Sequence, residues 1–242
     1  MVLPSGNLLL DALPPAEWAR MRRFFRKKTV NSGDIILQRG QRITETYWPC
    51  TAVISTVAHF EDGSMAEVAL IGRYGVLGIE AITGGQKALH TRIVQIPGEV
   101  LVLPYDHFAD FQRKSPTFGR LISHYAQAYV SQVIQSGACS AKHSADMRVA
   151  RLLLSFLHAS GATRLPLAQQ FLADLLGLSR FAVGRILRQL ARSRVIRLKR
   201  GEILITDQMA LEGRTCECYR LVREEFLTLA HILQSTVAEY RS

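Results

Sequence analysis

Nine basic side chains fall between Arg164 and Gly201: Arg164, Arg180, Arg185, Arg188, Arg192, Arg194, Arg197, Lys199 and Arg200. A single acid, Asp174, opposes them. Such a surface holds a polyanion through phosphate contacts and counterion release, so its binding weakens steeply with salt. A helix face that is merely solvated more usually mixes both signs. Arginine can do more than neutralise, because its planar fork matches O6 and N7 of guanine, and each such pair gives roughly 1–3 kcal/mol of discrimination. Charge by itself does not select DNA. The spacing inside the run does.

Residues 169–188, QQFLADLLGLSRFAVGRILR, read as a helix, a tight turn and a second helix. Leu172 and Leu176 share one face of the first segment; Val183, Ile186 and Leu187 share one face of the second. Gly177 can take the left-handed backbone of a sharp exit, Leu178 plugs the corner, and Ser179 is the natural N-cap of the second helix. Ala173 is small where the helices would cross. A DNA-binding helix-turn-helix constrains all these positions together, and each is filled. Beyond it, VIRLKRGEILITD reads as a hairpin turning at Arg200-Gly201, a wing that brings Lys199 and Arg200 to the sugar-phosphate backbone.

Other chemistry is sparser. Cys50, Cys139, Cys216 and Cys218 are too scattered in sequence to read as a cluster, so buried structural thiols are the expectation, with a thiol switch or metal half-site at Cys216 and Cys218 as the alternative. The seven histidines are dispersed and form no pair, so side chains satisfied by hydrogen bonds are the expectation and a haem ligand from His59, His90 or His124 the alternative. No phosphate loop, nucleophile elbow or His-x-His occurs, so no catalytic residue is assigned. A cupin-like metal enzyme would need clustered histidines and a carboxylate on barrel strands, and His59 alone lies in the strands before Gly72.

The rest of the chain must position this surface. Its 242 residues suit one or two domains, its net charge of +10 favours an anionic partner, and its 48% apolar content suffices for a core. No run approaches a membrane span, and the N-terminus lacks a signal peptide's basic leader, so a cytoplasmic protein with reduced thiols is expected. The first 28 residues predict a helix opened by Pro14-Pro15, with Trp18, Met21, Phe24 and Phe25 on one side and a basic run on the other. From Thr29 to about Phe108, short β-branched and aromatic runs alternate with glycine turns, which predicts an antiparallel jelly roll.

Ser115-Pro116 then opens a long helix to roughly Ser140. Ile122, Ala126, Tyr129, Val133 and Gly137 form one stripe and Phe118, Leu121, Tyr125 and Ala128 its neighbour. Ile122, Tyr125, Ala126, Tyr129 and Val133 are the expected dimer seam, with a helix lying on its own barrel as the alternative. A dimer supplies the two-fold symmetry that paired DNA half-sites need. Residues 137–144 are the expected hinge. Ser144 caps a further helix with Met147, Ala150, Leu153, Leu154 and Leu157 on its buried side. The tail from Gln208 is helical, with Leu221, Val222, Phe226 and Leu229 apolar. The expected fold is therefore α+β: a roll domain (1–114), a dimerisation helix and hinge (115–142), and a winged helix-turn-helix domain (143–242).

Barrel, long helix, hinge and winged helix-turn-helix in this order resemble the Crp/Fnr family of bacterial transcription regulators over nearly the whole chain. The most specific stretches are LGLSRFAVGRILRQLARSRVI and EVALIGRYGVLG, and CECY (216–219) resembles a tail found in one branch. The resemblance implies a cyclic-nucleotide-binding-like roll and a homodimer on a palindromic operator, with recognition helix 179–192 in the major groove. Arg180 and Arg185 fall on base-reading arginines and Ser179 on a phosphate-contacting serine. Gln170, Lys199 and Arg200 join the expected DNA contacts. Phe181 departs from a common glutamate that accepts from cytosine, though it could pack on a thymine methyl, and Ala182 replaces a frequent threonine that contacts phosphate.

The effector site departs further. In members that bind cyclic AMP, a Gly-Glu pair and an Arg-Ser pair hold the ribose and phosphate. Here these slots fall at Gly78-Ile79 and Ala88-Leu89, with His90 and Arg92 nearby. A buried phosphate without a paired charge is costly, which argues against cyclic AMP. With no cysteine before Cys50, the family's N-terminal iron–sulfur cluster is not expected either. The effector is unassigned, and a ligand-independent regulator using the roll as scaffold is the alternative. Expected partners are double-stranded DNA, a second copy of the chain and RNA polymerase, with no membrane.

Overall fold

A computed structural model describes residues 5–239, with backbone alone for residue 83 and for 230–239. After a short helix α1 (Leu8–Asp11), capped by Asn7, comes α2 (Pro15–Met21), opened by its proline and followed by a 3-10 turn over Arg22–Phe24. The expected helix to residue 28 thus ends early. Arg26, Lys27 and Lys28 belong instead to strand β1 (Arg26–Val30), where Arg26 pairs with Glu45 at 2.6 Å and Lys27 with Glu99 at 2.7 Å. Two acids from other strands of the same sheet thus meet a basic run that forms the sheet's edge, a pairing invisible in the local sequence.

The remaining roll strands are β2 (Ile35–Leu37), β3 (Glu45–Pro49), β4 (Val53–His59), β5 (Met65–Ile71), β6 (Thr91–Ile96) and β7 (Gly98–Pro104). They form two antiparallel sheets of order β1-β7-β3 and β2-β6-β4-β5. Helix α3 (Tyr105–Lys114) leads to α4 (Pro116–Lys142), whose N-cap Ser115 accepts from the Phe118 amide at 3.1 Å. Trp48, fully buried on β3, has Phe25, Phe108 and Phe118 around it at ring separations of 6.0, 6.3 and 6.0 Å. Edge-on and tilted aromatic packing of this kind joins the roll to α3 and α4.

Past the break at His143-Ser144 run α5 (Ala145–Ser160), β8 (Arg164–Leu165), α6 (Gln169–Leu176), α7 (Arg180–Arg192), β9 (Ile196–Lys199), β10 (Glu202–Ile205), α8 (Gln208–Glu212) and α9 (Glu217–Glu239). Helix α4 continues through Gly137 to Lys142, so the expected hinge at 137–144 shrinks to its last two residues. A second core centres on α5, α6 and α7 and takes in Val53, Val57, Leu70 and Ile96 from the roll. The loop after β5 meets α5 just as closely. The Arg73 amide donates to the Ala159 carbonyl at 3.1 Å, and a Cβ on Gly72 would lie 2.2 Å from that oxygen.

The dimer stripe needs correction. Ile122, Tyr125 and Tyr129 are buried in the protomer's own core, with Ala126 and Val133 half-buried beside them. The tyrosine hydroxyls explain the choice of face: Tyr125 donates to the Val76 carbonyl at 3.1 Å, and Tyr129 bonds Thr56 at 3.1 Å. Gln132 accepts from the Leu70 amide at 3.2 Å. The face left to solvent carries Ser123, Gln127, Val130, Ile134, Gly137 and Ala141, with Val130 53% and Ile134 65% exposed. Its alternating steps of four and three residues are those of a coiled-coil seam.

Candidate nucleic-acid interface

The helix-turn-helix forms as its spacing requires. Leu172, Ala173, Leu176, Val183, Ile186 and Leu187 are all buried between α5, α6 and α7. Gly177 takes φ +60°, a left-handed backbone, and the Leu178 amide then reaches back to the Ala173 carbonyl at 2.9 Å, closing the end of α6. Ser179 caps α7 by accepting from the Ala182 amide at 3.1 Å. Two supports escaped the sequence reading. Arg148 on α5 donates to the Leu176 carbonyl. Gly184 is buried where α7 meets Gln169, whose Oε1 would lie 3.1 Å from a Cβ there. The arginine-to-carbonyl cap has no local signal, whereas the glycine, in the middle of a helix where glycine costs about 1 kcal/mol, could have been noticed.

With the apolar face of α7 inward, Ser179, Arg180, Phe181, Arg185 and Arg188 are exposed, Phe181 to 76%, and Ala182 is half-exposed beside them. No carboxylate pairs with Arg180, Arg185 or Arg188 among the described residues. The β9–β10 hairpin turns at Arg200-Gly201, and its far edge joins β8, where Arg164 pairs with Glu202 at 3.1 Å. Gln170, Arg180, Lys199 and Arg200 line one cleft between the wing and α6. Four sequence-predicted contacts from three elements thus share a single concave surface, and the rest continue along α7.

The expected effector residues also meet, but around an ion pair. Gly78 makes a left-handed turn into a 3-10 helix over Ile79–Thr83. Glu80, which the strict Gly-Glu reading passed over, is buried and lies 2.8 Å from the Nη2 of Arg92, itself 2% exposed. Arg92 Nη1 donates to the His90 carbonyl at 2.7 Å, and the Leu89 amide donates to Glu80 at 3.1 Å. Ala88 is buried and apolar, while the Leu89 side chain is 64% exposed, so neither supplies a phosphate ligand. Burial and then the Arg92 cation hold the His90 imidazole below its ordinary range.

The cysteines correct a further expectation. Cys50 stands apart against Ser5 and Trp48. Cys139, Cys216 and Cys218 converge with His143 where α4 meets the start of α9, and they are not scattered in space. This is the one group of metal-ligating side chains so arranged among the described residues, and it lies outside the roll.

Comparison with known proteins agrees with this geometry. Residues 27–115 match the cyclic nucleotide-binding domain and residues 147–214 the Crp-like helix-turn-helix domain. FixK2 from Bradyrhizobium japonicum superposes with a TM-score of 0.69 at 16% identity, over 79% of this chain and 98% of that one. TTHB099, a CRP-family transcriptional regulator from Thermus thermophilus, gives 0.65 at 18% identity, over 77% and 95%. The c-di-GMP-responsive global regulator CLP of Xanthomonas campestris gives 0.61 at 16% identity, over 77% and 96%. A search of curated proteins finds no match. At these identities the structural likenesses establish the fold. The family rests on the two domain matches, which take in the roll and the helix-turn-helix in the order found here: the chain belongs to the Crp/Fnr family of transcriptional regulators, with a helix-turn-helix DNA-binding domain.

Proposed function

We propose that the protein acts as a homodimer on two-fold-symmetric double-stranded DNA, each copy setting residues 179–192 into the major groove of one half-site. The observation that carries this is the outward row of Arg180, Arg185 and Arg188, unpaired by any acid among the described residues and flanked by Lys199 and Arg200. Arg180 and Arg185 read base edges. Ser179, Gln170, Lys199 and Arg200 hold the backbone, and Phe181 with Ala182 changes the half-site from one read by a glutamate. The second copy meets the first along the exposed Val130–Ile134 stripe of α4. RNA polymerase is the protein partner this reading implies and the cytoplasm its compartment; no helix among the described residues is long and apolar enough to cross a membrane. The test is selection of sites from random duplex DNA by the purified protein. A symmetric enriched motif supports the reading, and salt-sensitive binding without sequence preference overturns it.

The Glu80–Arg92 pair favours a second statement about the roll. Arg92 is a buried arginine beside the expected phosphate slot, and Glu80 and the His90 carbonyl already engage it. Cyclic AMP would have to draw that guanidinium away from a buried carboxylate, which is costly. The roll is therefore a scaffold, or takes a ligand of another kind. Cyclic AMP at millimolar concentration should not shift the thermal unfolding midpoint, and a rise of several degrees would sink this view.

A further inference from the structure

At the junction of α4 and α9, four side chains of metal-binding type face one another. Cys139 lies in the last turn of α4, His143 is its C-cap residue, and Cys216 and Cys218 flank Glu217 where α9 begins. Their ligand atoms all fall within 4.8 Å of one another. The Sγ atoms of Cys139 and Cys216 are 3.5 Å apart, and Cys218 Sγ is 3.4 Å from His143 Nδ1. Around a tetrahedral zinc ion, with bonds of about 2.3 Å to sulfur and 2.0 Å to nitrogen, neighbouring ligand atoms stand roughly 3.5–3.8 Å apart. Two edges of the cage already have that length, and the widest would close by about 1 Å.

We propose that Cys139, His143, Cys216 and Cys218 bind one zinc ion in a closed Cys3His site.

The surroundings are those of ligands and not of a merely apolar corner. His143 Nε2 lies 3.3 Å from Glu217 Oε1, which orients the ring and leaves Nδ1 for the ion; a carboxylate behind a ligating histidine is the usual outer-shell arrangement. Gln135 Nε2 donates to Cys218 Sγ at 3.0 Å. Zinc with three thiolates carries one net negative charge, and Arg151 on α5 is placed to balance it. Arg151 is 7% exposed, its Nη1 donates to Ser136 at 3.4 Å, and its field acts on Cys139 as well as on the buried carboxyl of Glu67. Three cysteines packed as small hydrophobes would not call for the imidazole with its carboxylate. A Cys139–Cys216 disulfide would leave Cys218 and His143 unexplained. A two-iron cluster, with ligands on opposite irons, needs a wider cage than 4.8 Å. Binding displaces the thiol protons to solvent, one from each cysteine, with no change of oxidation state.

Full-length protein purified without chelator should carry about one zinc per chain by elemental analysis, and Cys218→Ser should carry none. Cobalt added to stripped wild-type protein should give the intense visible bands of four-coordinate cobalt with thiolate-to-metal charge transfer. Glu217→Gln should weaken cobalt binding about 10- to 100-fold while leaving the circular dichroism spectrum unchanged. The cobalt titration uses wild-type protein, so it decides the matter even where a cysteine variant fails to fold. A wild-type protein without zinc whose cobalt spectrum is that of the six-coordinate ion overturns the proposal, as does a Cys139–Cys216 disulfide in the protein as isolated.

Discussion

Arginine is used in opposite ways on helix α7 and inside the roll. On α7, Arg180, Arg185 and Arg188 stand in solvent with no acidic partner among the described residues. In the roll, Arg92 is 2% exposed and held by Glu80 and the His90 carbonyl. A guanidinium in water retains its donors for an incoming partner, and phosphate or guanine can take them by displacing weakly held solvent. A buried and paired one is part of the fold, and its removal is felt by the carboxylate it leaves. The same residue type is therefore open to a partner on α7 and an internal strut in the roll, and burial with pairing tells them apart.

Substitutions can break or sharpen this contrast. Arg92→Met should cost the most, about 3–5 kcal/mol of stability, because Glu80 loses its buried counter-charge. Adding Glu80→Gln should restore part of it. Urea unfolding of the single and double variants checks both, and a single variant as stable as wild type would reduce the pair to ornament. Arg185→Ala should leave stability alone and cost about 1–3 kcal/mol on the selected site, with little change on random duplex. Equal loss on every sequence would refute base reading. Gly177→Ala should destabilise by about 1–2 kcal/mol through its φ of +60° alone, since no described atom lies within 4 Å of the added methyl. A neutral result in thermal unfolding would mean the turn can relax. Lys199→Ala should have the smallest effect, weakening all sequences alike and lowering the salt slope of binding by about 1; a change in sequence preference would instead give the wing a base contact.

The sequence spoke most clearly where a structure's constraints lie close together along the chain. Every rule for the turn between α6 and α7 acts within twenty residues, and Leu172, Gly177, Ser179 and Ile186 each obey one that is local. The roll was legible for a similar reason, since alternation and glycine turns recur strand by strand. On α4, two neighbouring stripes compete for the interior. The larger side chains Ile122, Tyr125 and Tyr129 read as a seam, but their bulk and the tyrosine hydroxyls belong against the roll, and only tertiary contact decides between the stripes. Glu80 reaches Arg92 across a turn, and Cys139 reaches Cys216 across 77 residues. Periodicity carries no record of such meetings.

The roll's outward face has a consequence for switching. Val53, Val57, Leu70 and Ile96 belong to the core of the DNA-binding half, and Gly72 and Arg73 lie against the carbonyl of Ala159. Swinging that half away would return part of this face to water. Even two such side chains cost about 3–6 kcal/mol, which limits the swung form to roughly one molecule in a hundred to one in ten thousand. Any signal that reorients the recognition helices must therefore bind the swung form tighter than the docked one by at least the same factor. For any such signal, the seam between the halves would set the threshold of response.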